Sequence, residues 1–299
     1  MFKTGYISIS GKANVGKSTL INQIVGEKVS IVSWKAQTTR DNILGILNGE
    51  DYQAIFIDTP GLHTAKNKLG NYMMKNVRQS MKNVDVLVYV IDGEAKLDDY
   101  DKEFVEMHQD KEYPLIVAIN KEDVAGGEKV LKIIDRLKDI KGVKAIIPIS
   151  ALKGSGVKEL ISEVVKYLPE GEPIYDEDEV SDKDLAFMMR EIVREKALRL
   201  LDKEVPYGIG VTLSKFRKRD DKDIYDVEGI IYCEKEGHKP IIIGKNGAML
   251  KKISTYARQD LENIMGAKVC LKLWVKVKED WREDTATLEK LGYSQKNNG

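Results

Sequence analysis

The run "ISISGKANVGKSTLINQIV" holds GxxxxGKS at residues 11–18, between a short apolar stretch and an amphipathic one. Nothing else in the chain constrains its fold as tightly. Glycine lets consecutive main-chain amides turn inward, and a loop that enters a helix aims those amides at phosphate oxygens. The loop therefore demands a strand where it begins and a helix where it ends. Gly11, Lys12, Ala13, Asn14, Val15, Gly16, Lys17, Ser18 and Thr19 form the expected phosphate cradle. Lys17 is expected to reach the terminal phosphates, and the Ser18 hydroxyl to ligate magnesium.

Apolar runs alternate with charged, amphipathic segments from Gly5 to about Leu168. The runs "GYISIS", "QAIFIDT", "DVLVYVID", "PLIVAIN" and "AIIPIS" are continuous, as strands buried on both faces are. Residues 1–170 are thus expected to form an α/β domain, a mostly parallel sheet with helices on both faces. "LPEGEPIYDEDEVSD" breaks the pattern, and residues 171–182 read as an exposed acidic linker. Residues 183–299 make a second, α+β domain with the order α-β-β-α-α-β. It opens with an apolar stripe at Leu185, Met188, Met189, Ile192, Val193, Leu198 and Leu201. The final "SQKNNG" is expected to fray. Lys plus Arg and Asp plus Glu both number 48, so net charge selects no partner and charge distribution must. Cys233 and Cys270 lack CxxC spacing and read as buried small hydrophobes in a reducing, cytoplasmic setting. No apolar run reaches the length of a membrane span.

Four further segments select the nucleotide. "NKED" at Asn120, Lys121, Glu122 and Asp123 follows a strand, and its carboxylate suits the paired donors of guanine. "DTPGL" offers Asp58 to magnesium through water and the Gly61 amide to a γ-phosphate, with Thr59, Pro60 and Leu62 alongside. Either Thr38 or Thr39 of "KAQTTRD" can close over magnesium, with Thr39 preferred. Ser150 and Ala151 of "SALKG" are placed to back guanine with main-chain amides. Lys17, Thr39, Asp58 and Gly61 are the candidate catalytic residues. Leu62 stands where many signalling GTPases place a water-orienting Gln. Either hydrolysis waits for a partner, or the Asn14 amide oxygen holds potassium beside the phosphates.

"PIIIGKNGAMLKKI" is a second glycine-lysine loop, too short for a triphosphate and lacking a Ser or Thr after Lys245. By propensity alone, "PIIIG" is a strand. His63, His108 and His238 lack metal or triad spacing. Trp274 and Trp281 read as packing residues rather than base-stacking ones.

"GKANVGKSTLIN", "QTTRD", "DTPGLH", "NKED" and "SALKG" resemble the translation-factor-related GTPases, and nearly the whole chain is similar to their Era family. Ala13 is a departure, since the family more often has proline there. The resemblance implies a GTPase using GTP, GDP and magnesium. The second loop resembles the type II KH module, whose GxxG joins two helices and clamps single-stranded RNA. That makes "PIIIG" a short helix. It assigns RNA contact to Ile243, Gly244, Lys245, Asn246, Gly247, Lys251 and Lys252, with Ile241, Ile242 and Ile253 lining a groove for bases. The implied partners are ribosomal RNA near the 3′ end of the small-subunit rRNA and the small ribosomal subunit during its assembly. The expected state is a cytoplasmic monomer, with the family's peripheral membrane association at the inner face of the cell membrane. The alternative is a GTP-regulated protein- or membrane-binding module independent of RNA.

Overall fold

The computed structural model describes residues 1–293, so the expected fraying of residues 294–299 lies outside the described residues. The chain divides into two compact units. One comprises Met1–Val32, Thr39–His63 and Met73–Asp182; the other comprises Ser33–Thr38, Thr64–Tyr72 and Lys183–Gly299.

The first unit follows the order β1 (Lys3–Ser10), α1 (Lys17–Val25), β2 (Ile43–Asn48), β3 (Tyr52–Asp58), α2 (Lys68–Ser80, of which residues 68–72 fall in the other unit), β4 (Val86–Asp92) and α3 (Asp99–Met107). It continues with β5 (Leu115–Asn120), α4 (Glu122–Ala125), α5 (Gly127–Leu137), β6 (Val143–Pro148) and α6 (Val157–Lys166). The sheet order is β2-β3-β1-β4-β5-β6. All pairs are parallel except β2 with β3. Strand β4 explains the continuous apolar runs. Val86, Val88 and Val90 enter one core with Ile7, Ile9 and Leu20, while Leu87, Tyr89 and Ile91 enter another with Phe104 and Ile133. Successive side chains point to opposite faces, so a strand covered twice must be apolar throughout. Helix α5 buries Val130, Ile133 and Leu137 at helical spacing and leaves its charged positions to solvent.

Two features differ from the sequence reading. Strand β2, the antiparallel edge, was absent from the expected runs. The acidic stretch is not a free linker but is strapped to the first unit. Its Pro169 and Val180 carbonyls accept from Thr4 and Ile46 at 3.0 Å, and Asp182 accepts from the Leu44 amide at 2.9 Å. Gln53 fixes the middle, accepting from the Ile174 and Tyr175 amides at 2.7 and 2.9 Å. Paired main-chain groups outweigh the local acidity, because each buried N–H or C=O left unmatched costs about 1–3 kcal/mol.

The second unit follows the order α7 (Leu185–Leu200), β7 (Gly210–Lys218), β8 (Ile224–Cys233), α8 (His238–Ile243), α9 (Ala248–Met265), β9 (Lys268–Val277) and α10 (Thr285–Lys290). Asp184 caps α7 through its carboxylate, which accepts from the Phe187 amide at 2.7 Å. In the sheet, β7 pairs antiparallel with β8, and β8 pairs parallel with β9. Met189, Ile192 and Val193 of α7 join Ile253, Ala257 and Leu261 of α9 over Val227, Ile231 and Val275 of the sheet. The segment "PIIIG" is helical, so resemblance outdid β-propensity here. This unit also carries the segments outside 183–299. The Arg194 guanidinium, paired with Glu191, donates to the Thr38 carbonyl, and the Leu69 amide donates to the Arg282 carbonyl at 3.1 Å.

Candidate functional site

Strand β1 ends at Ser10 and α1 begins at Lys17, as the loop between them demanded. Gly11, Asn14 and Gly16 take positive φ angles of 148°, 65° and 98°. These bends turn the chain into a concave cradle, and Asn is among the few residues with a side chain that accept the left-handed region. At Gly16 only glycine fits, since a Cβ would lie 2.2 Å from Asn120 Nδ2. Lys17 Nζ donates to the Gly11 and Lys12 carbonyls at 2.9 and 2.7 Å, arching over the loop. Burial lowers its pKa to about 8, against the opposing pull of Asp58.

Lys12 of the loop carries its charge away from the cradle. Its ammonium is committed to Asp98 at 2.5 Å and Asp101 at 2.8 Å, so only its main chain serves the cradle. Asn14 is exposed on the loop, Val15 is buried beneath it, and Thr19 lies half-buried in the first turn of α1.

Three hydroxyls converge on one carboxylate. Asp58 Oδ2 accepts from Ser18 at 2.7 Å, Ser30 at 2.7 Å and Thr39 at 3.3 Å, and the Ser18 and Thr39 hydroxyls are 2.8 Å apart. Burial raises the Asp58 pKa, while these hydrogen bonds and Lys17 oppose the shift. Asp58 Oδ1 is buried without a hydrogen-bond partner. An orphaned carboxylate oxygen beside two clustered hydroxyls is a donor set for a hard cation such as magnesium. Of the two threonines, Thr39 brings its hydroxyl to this cluster, while Thr38 gives its hydroxyl to the Lys35 carbonyl at 2.6 Å. Ser30 was missed from sequence. It reaches Asp58 only because Asn22 pins the loop, accepting from the Val29 and Ser30 amides at 3.0 and 2.9 Å.

Beyond β3, Thr59 is buried and donates to the Ile9 carbonyl at 2.8 Å. The Leu62 amide donates to the Gly11 carbonyl at 3.1 Å, which brings Pro60, Gly61 and Leu62 against the phosphate loop.

At the end of β5, Asn120 is a brace. Its Nδ2 donates to the Val15 carbonyl, and its Oδ1 accepts from the Ala151 amide, both at 2.8 Å. Lys121, at φ 66°, pairs with Asp92 at 2.5 Å. Glu122 accepts from Ser155 at 2.5 Å, and the Asp123 carboxylate is left exposed, where a base can meet it. Ser150 and Ala151 lie beside this brace. Ser150 gives its N–H to the Ser155 carbonyl at 2.9 Å, and Ala151 gives its N–H to Asn120 Oδ1 at 2.8 Å. The pair holds the brace.

In the second unit, Ile243 ends α8, residues 245–247 form a 3₁₀ turn, and α9 starts at Ala248. The two glycines of GxxG do different work. Gly244 has φ 74°, and a Cβ there would lie 2.7 Å from the Met249 amide nitrogen; Gly247 has φ 77°, with nothing within 4 Å of its would-be Cβ. The first is required by the protein, and the second faces open space at the N-terminus of α9. Lys245, Asn246, Lys251 and Lys252 are exposed around it. The expected base groove is smaller than read. Ile242 and Ile253 are wholly buried in the core, and Ile241 alone of the three is exposed. Trp281 is a packing residue, 0% exposed, with its indole N–H given to the Gly208 carbonyl at 2.8 Å. Trp274 is not: 45% of it is exposed. Cys233 is buried as expected, whereas Cys270 is partly exposed.

Residues 6–121 match the family model of the 50S ribosome-binding GTPases, and residues 204–282 match that of the KH domain. GTPase Era of Clostridium kluyveri is 50% identical over 98% of this chain and 100% of its own length. GTPase Era of Clostridium botulinum, strain Loch Maree, is 48% identical over 98% and 99%. A crystal structure of Era in complex with MgGDPNP and nucleotides 1506–1542 of 16S ribosomal RNA superposes with a TM-score of 0.93. It is 42% identical and covers 99% of this chain and 100% of its own. An Aquifex aeolicus Era variant bound to GDP.AlF4- gives the same TM-score at 43% identity, over 98% and 100%. With the phosphate loop, the hydroxyl–carboxylate cluster, the Asn120 brace and the GxxG loop all in one chain, it belongs to the Era family of GTPases.

Proposed function

We propose that this GTPase binds small-subunit ribosomal RNA near its 3′ end through the GxxG loop, and that GTP binding and hydrolysis time that contact while the small subunit is assembled. The observation that carries the reading is the open space at Gly247, set at a helix N-terminus among exposed Lys245, Lys251 and Lys252. A sugar-phosphate backbone can approach glycine closely, and the helix end and lysines favour its charge. The relative that holds 16S nucleotides 1506–1542 supports the choice of RNA.

In the first unit, the cradle of residues 11–19 takes the phosphates, with Lys17 on the terminal ones. Ser18, Thr39 and Asp58 would hold magnesium, which when bound neutralises charge on the phosphate oxygens. The Gly61 amide meets the γ-phosphate, with Thr59, Pro60 and Leu62 shaping the wall beside it. Asp123 reads guanine, Asn120 and Ala151 keep the reading loop and the phosphate loop in register, and Lys121, Glu122 and Ser150 hold that arrangement. Leu62 cannot orient water, so charge stabilisation falls to a potassium ion at the exposed Asn14 amide oxygen. The protein is expected to act as a cytoplasmic monomer. Any contact with the membrane would be peripheral, since among the described residues no helix is long and apolar enough to cross one.

Sequencing RNA crosslinked to the purified protein, with a GTP analogue and with GDP, tests the proposal. Crosslinks between residues 244–252 and the 3′ end of the small-subunit rRNA, differing in yield between the nucleotides, are expected. Crosslinks that avoid this loop would overturn it and favour a protein- or membrane-binding module.

A further inference from the structure

Strand β9 separates its residues cleanly. Val269 and Val275 are buried under the helices, and Leu271, Leu273 and Val277 pack against the same core. The alternate positions, Lys268, Cys270, Lys272, Trp274 and Lys276, therefore face the other side of the sheet. On that side Trp274 stands opposite Ile230 of β8, with Lys272 opposite Glu228 and Lys276 opposite Tyr232. Register with β8 adds Lys215 and Arg217 of β7, which stand opposite Glu228 and Asp226. Asp226 is engaged by Arg219 at 2.7 Å and Arg217 by Asp220 at 2.8 Å, at the end of the face away from Trp274. Lys215, Arg217, Arg219, Lys268, Lys272 and Lys276 then outnumber Asp220, Asp226 and Glu228.

Trp274 leaves 45% of its surface exposed and so forgoes much of the burial that a large apolar side chain gains in a core. This one sits among cations rather than in a contiguous apolar patch, so it does not look like half of a dry protein interface. Its two flanking lysines stand about 6.6 Å to either side along the strand, two residues at about 3.3 Å each. An aromatic face between regularly spaced cations is the arrangement that binds single-stranded nucleic acid, where bases stack and phosphates pair.

We propose that this open sheet face is a second RNA contact, at which Trp274 stacks on an unpaired base while Lys272 and Lys276 hold the neighbouring phosphates. It rests on the RNA-binding reading above but uses different residues. The GxxG loop joins α8 to α9 on the helical side of the sheet, and a KH clamp takes about four nucleotides. A longer RNA bound at the loop has chain to spare for the opposite face.

The test uses the full chain and two probes: RNA of 16S nucleotides 1506–1542, the segment held by the related structure, and a four-nucleotide single strand that fills only the clamp. Trp274→Ala is expected to weaken the long RNA about 5- to 150-fold, the range for losing one stacked base, and to leave the short strand unchanged. Trp274→Phe should keep most of the affinity. In a Trp34→Phe background, the long RNA should quench indole fluorescence, and the further change Trp274→Phe should abolish the quenching. Lys272→Gln with Lys276→Gln should flatten the salt dependence of long-RNA binding while the short strand is unaffected. Unchanged long-RNA affinity in Trp274→Ala, or equal loss for both probes, overturns the second contact. Gly247→Asp separates the two readings. If it abolishes short-strand binding while Trp274→Ala has no effect, the clamp stands and this inference falls. If it has no effect while Trp274→Ala weakens the long RNA, the clamp falls and this face remains.

Discussion

Asn120 makes its case through two hydrogen bonds that belong to other parts of the chain. Replacing it with Ala removes the acceptor of the Ala151 amide and the donor to the Val15 carbonyl, both at 2.8 Å. The side chain is 3% exposed, so the two orphaned groups have little access to solvent. A buried polar group left unpaired costs about 1–3 kcal/mol, so the pair should cost about 2–6 kcal/mol. That cost must appear somewhere. If the loops keep their positions, it appears as lost stability in urea unfolding of the nucleotide-free protein. If they relax to find water, stability recovers and GDP affinity falls instead, by about tenfold for each 1.4 kcal/mol. The loss of stability and the loss of binding energy, measured by urea unfolding and by calorimetric titration with GDP, should therefore sum to this range. Asp123→Ala is the contrast: an exposed carboxylate whose loss should weaken GDP and leave unfolding unchanged. An Asn120→Ala protein with both quantities within about 0.5 kcal/mol of wild type, the usual scatter for surface changes, would refute the brace.

Asp123→Asn should weaken GTP and admit xanthine nucleotides, checked by competitive titration with GTP and XTP. Lys17 has a folded pKa of about 8 without nucleotide, and bound phosphate should raise it. Binding should then take up a proton above pH 8, and GTP affinity should fall with rising pH there while staying flat below, as calorimetry in buffers of different ionisation enthalpy can read. Gly244→Ala should destabilise the second unit by about 1–3 kcal/mol in thermal unfolding, through φ strain and the Met249 clash. Gly247→Asp should leave GTP binding intact and cost RNA affinity at moderate salt. GTP hydrolysis should be faster in potassium than in sodium at matched ionic strength, and Asn14→Ala should remove the difference in steady-state rates.

The sequence was most legible where one residue type has one physical use. The loop at residues 11–18 announced its strand and helix, and the doubly apolar β4 announced a covered sheet. Strand β2 was harder, because "ILGILN" follows a polar loop and its pairing with β3 is a tertiary fact. Ser30 carried no local signal at all, since its bond to Asp58 depends on Asn22 holding a loop 8 residues away in sequence. Ile242 and Ile253 were misread as groove residues because apolar residues beside a binding loop can face the ligand or the core, and composition does not distinguish them. Trp274 was legible. In "AKVCLKLWVKV" it shares its alternation with Lys268, Lys272 and Lys276, so the face that holds the lysines had to hold the indole.

Thr38 and Thr39 are consecutive residues that fall in different compact units. Thr38 has its carbonyl held by Arg194, while Thr39 has its hydroxyl held by Ser18 and Asp58. A single peptide bond thus joins the two sets of restraints. Whatever factor GTP applies to the affinity of the second unit for RNA, RNA must apply the same factor to the affinity for GTP, because free energy around a closed cycle sums to zero. If the proposed RNA contact is coupled to the nucleotide site, RNA is then an effector of nucleotide affinity as well as a ligand.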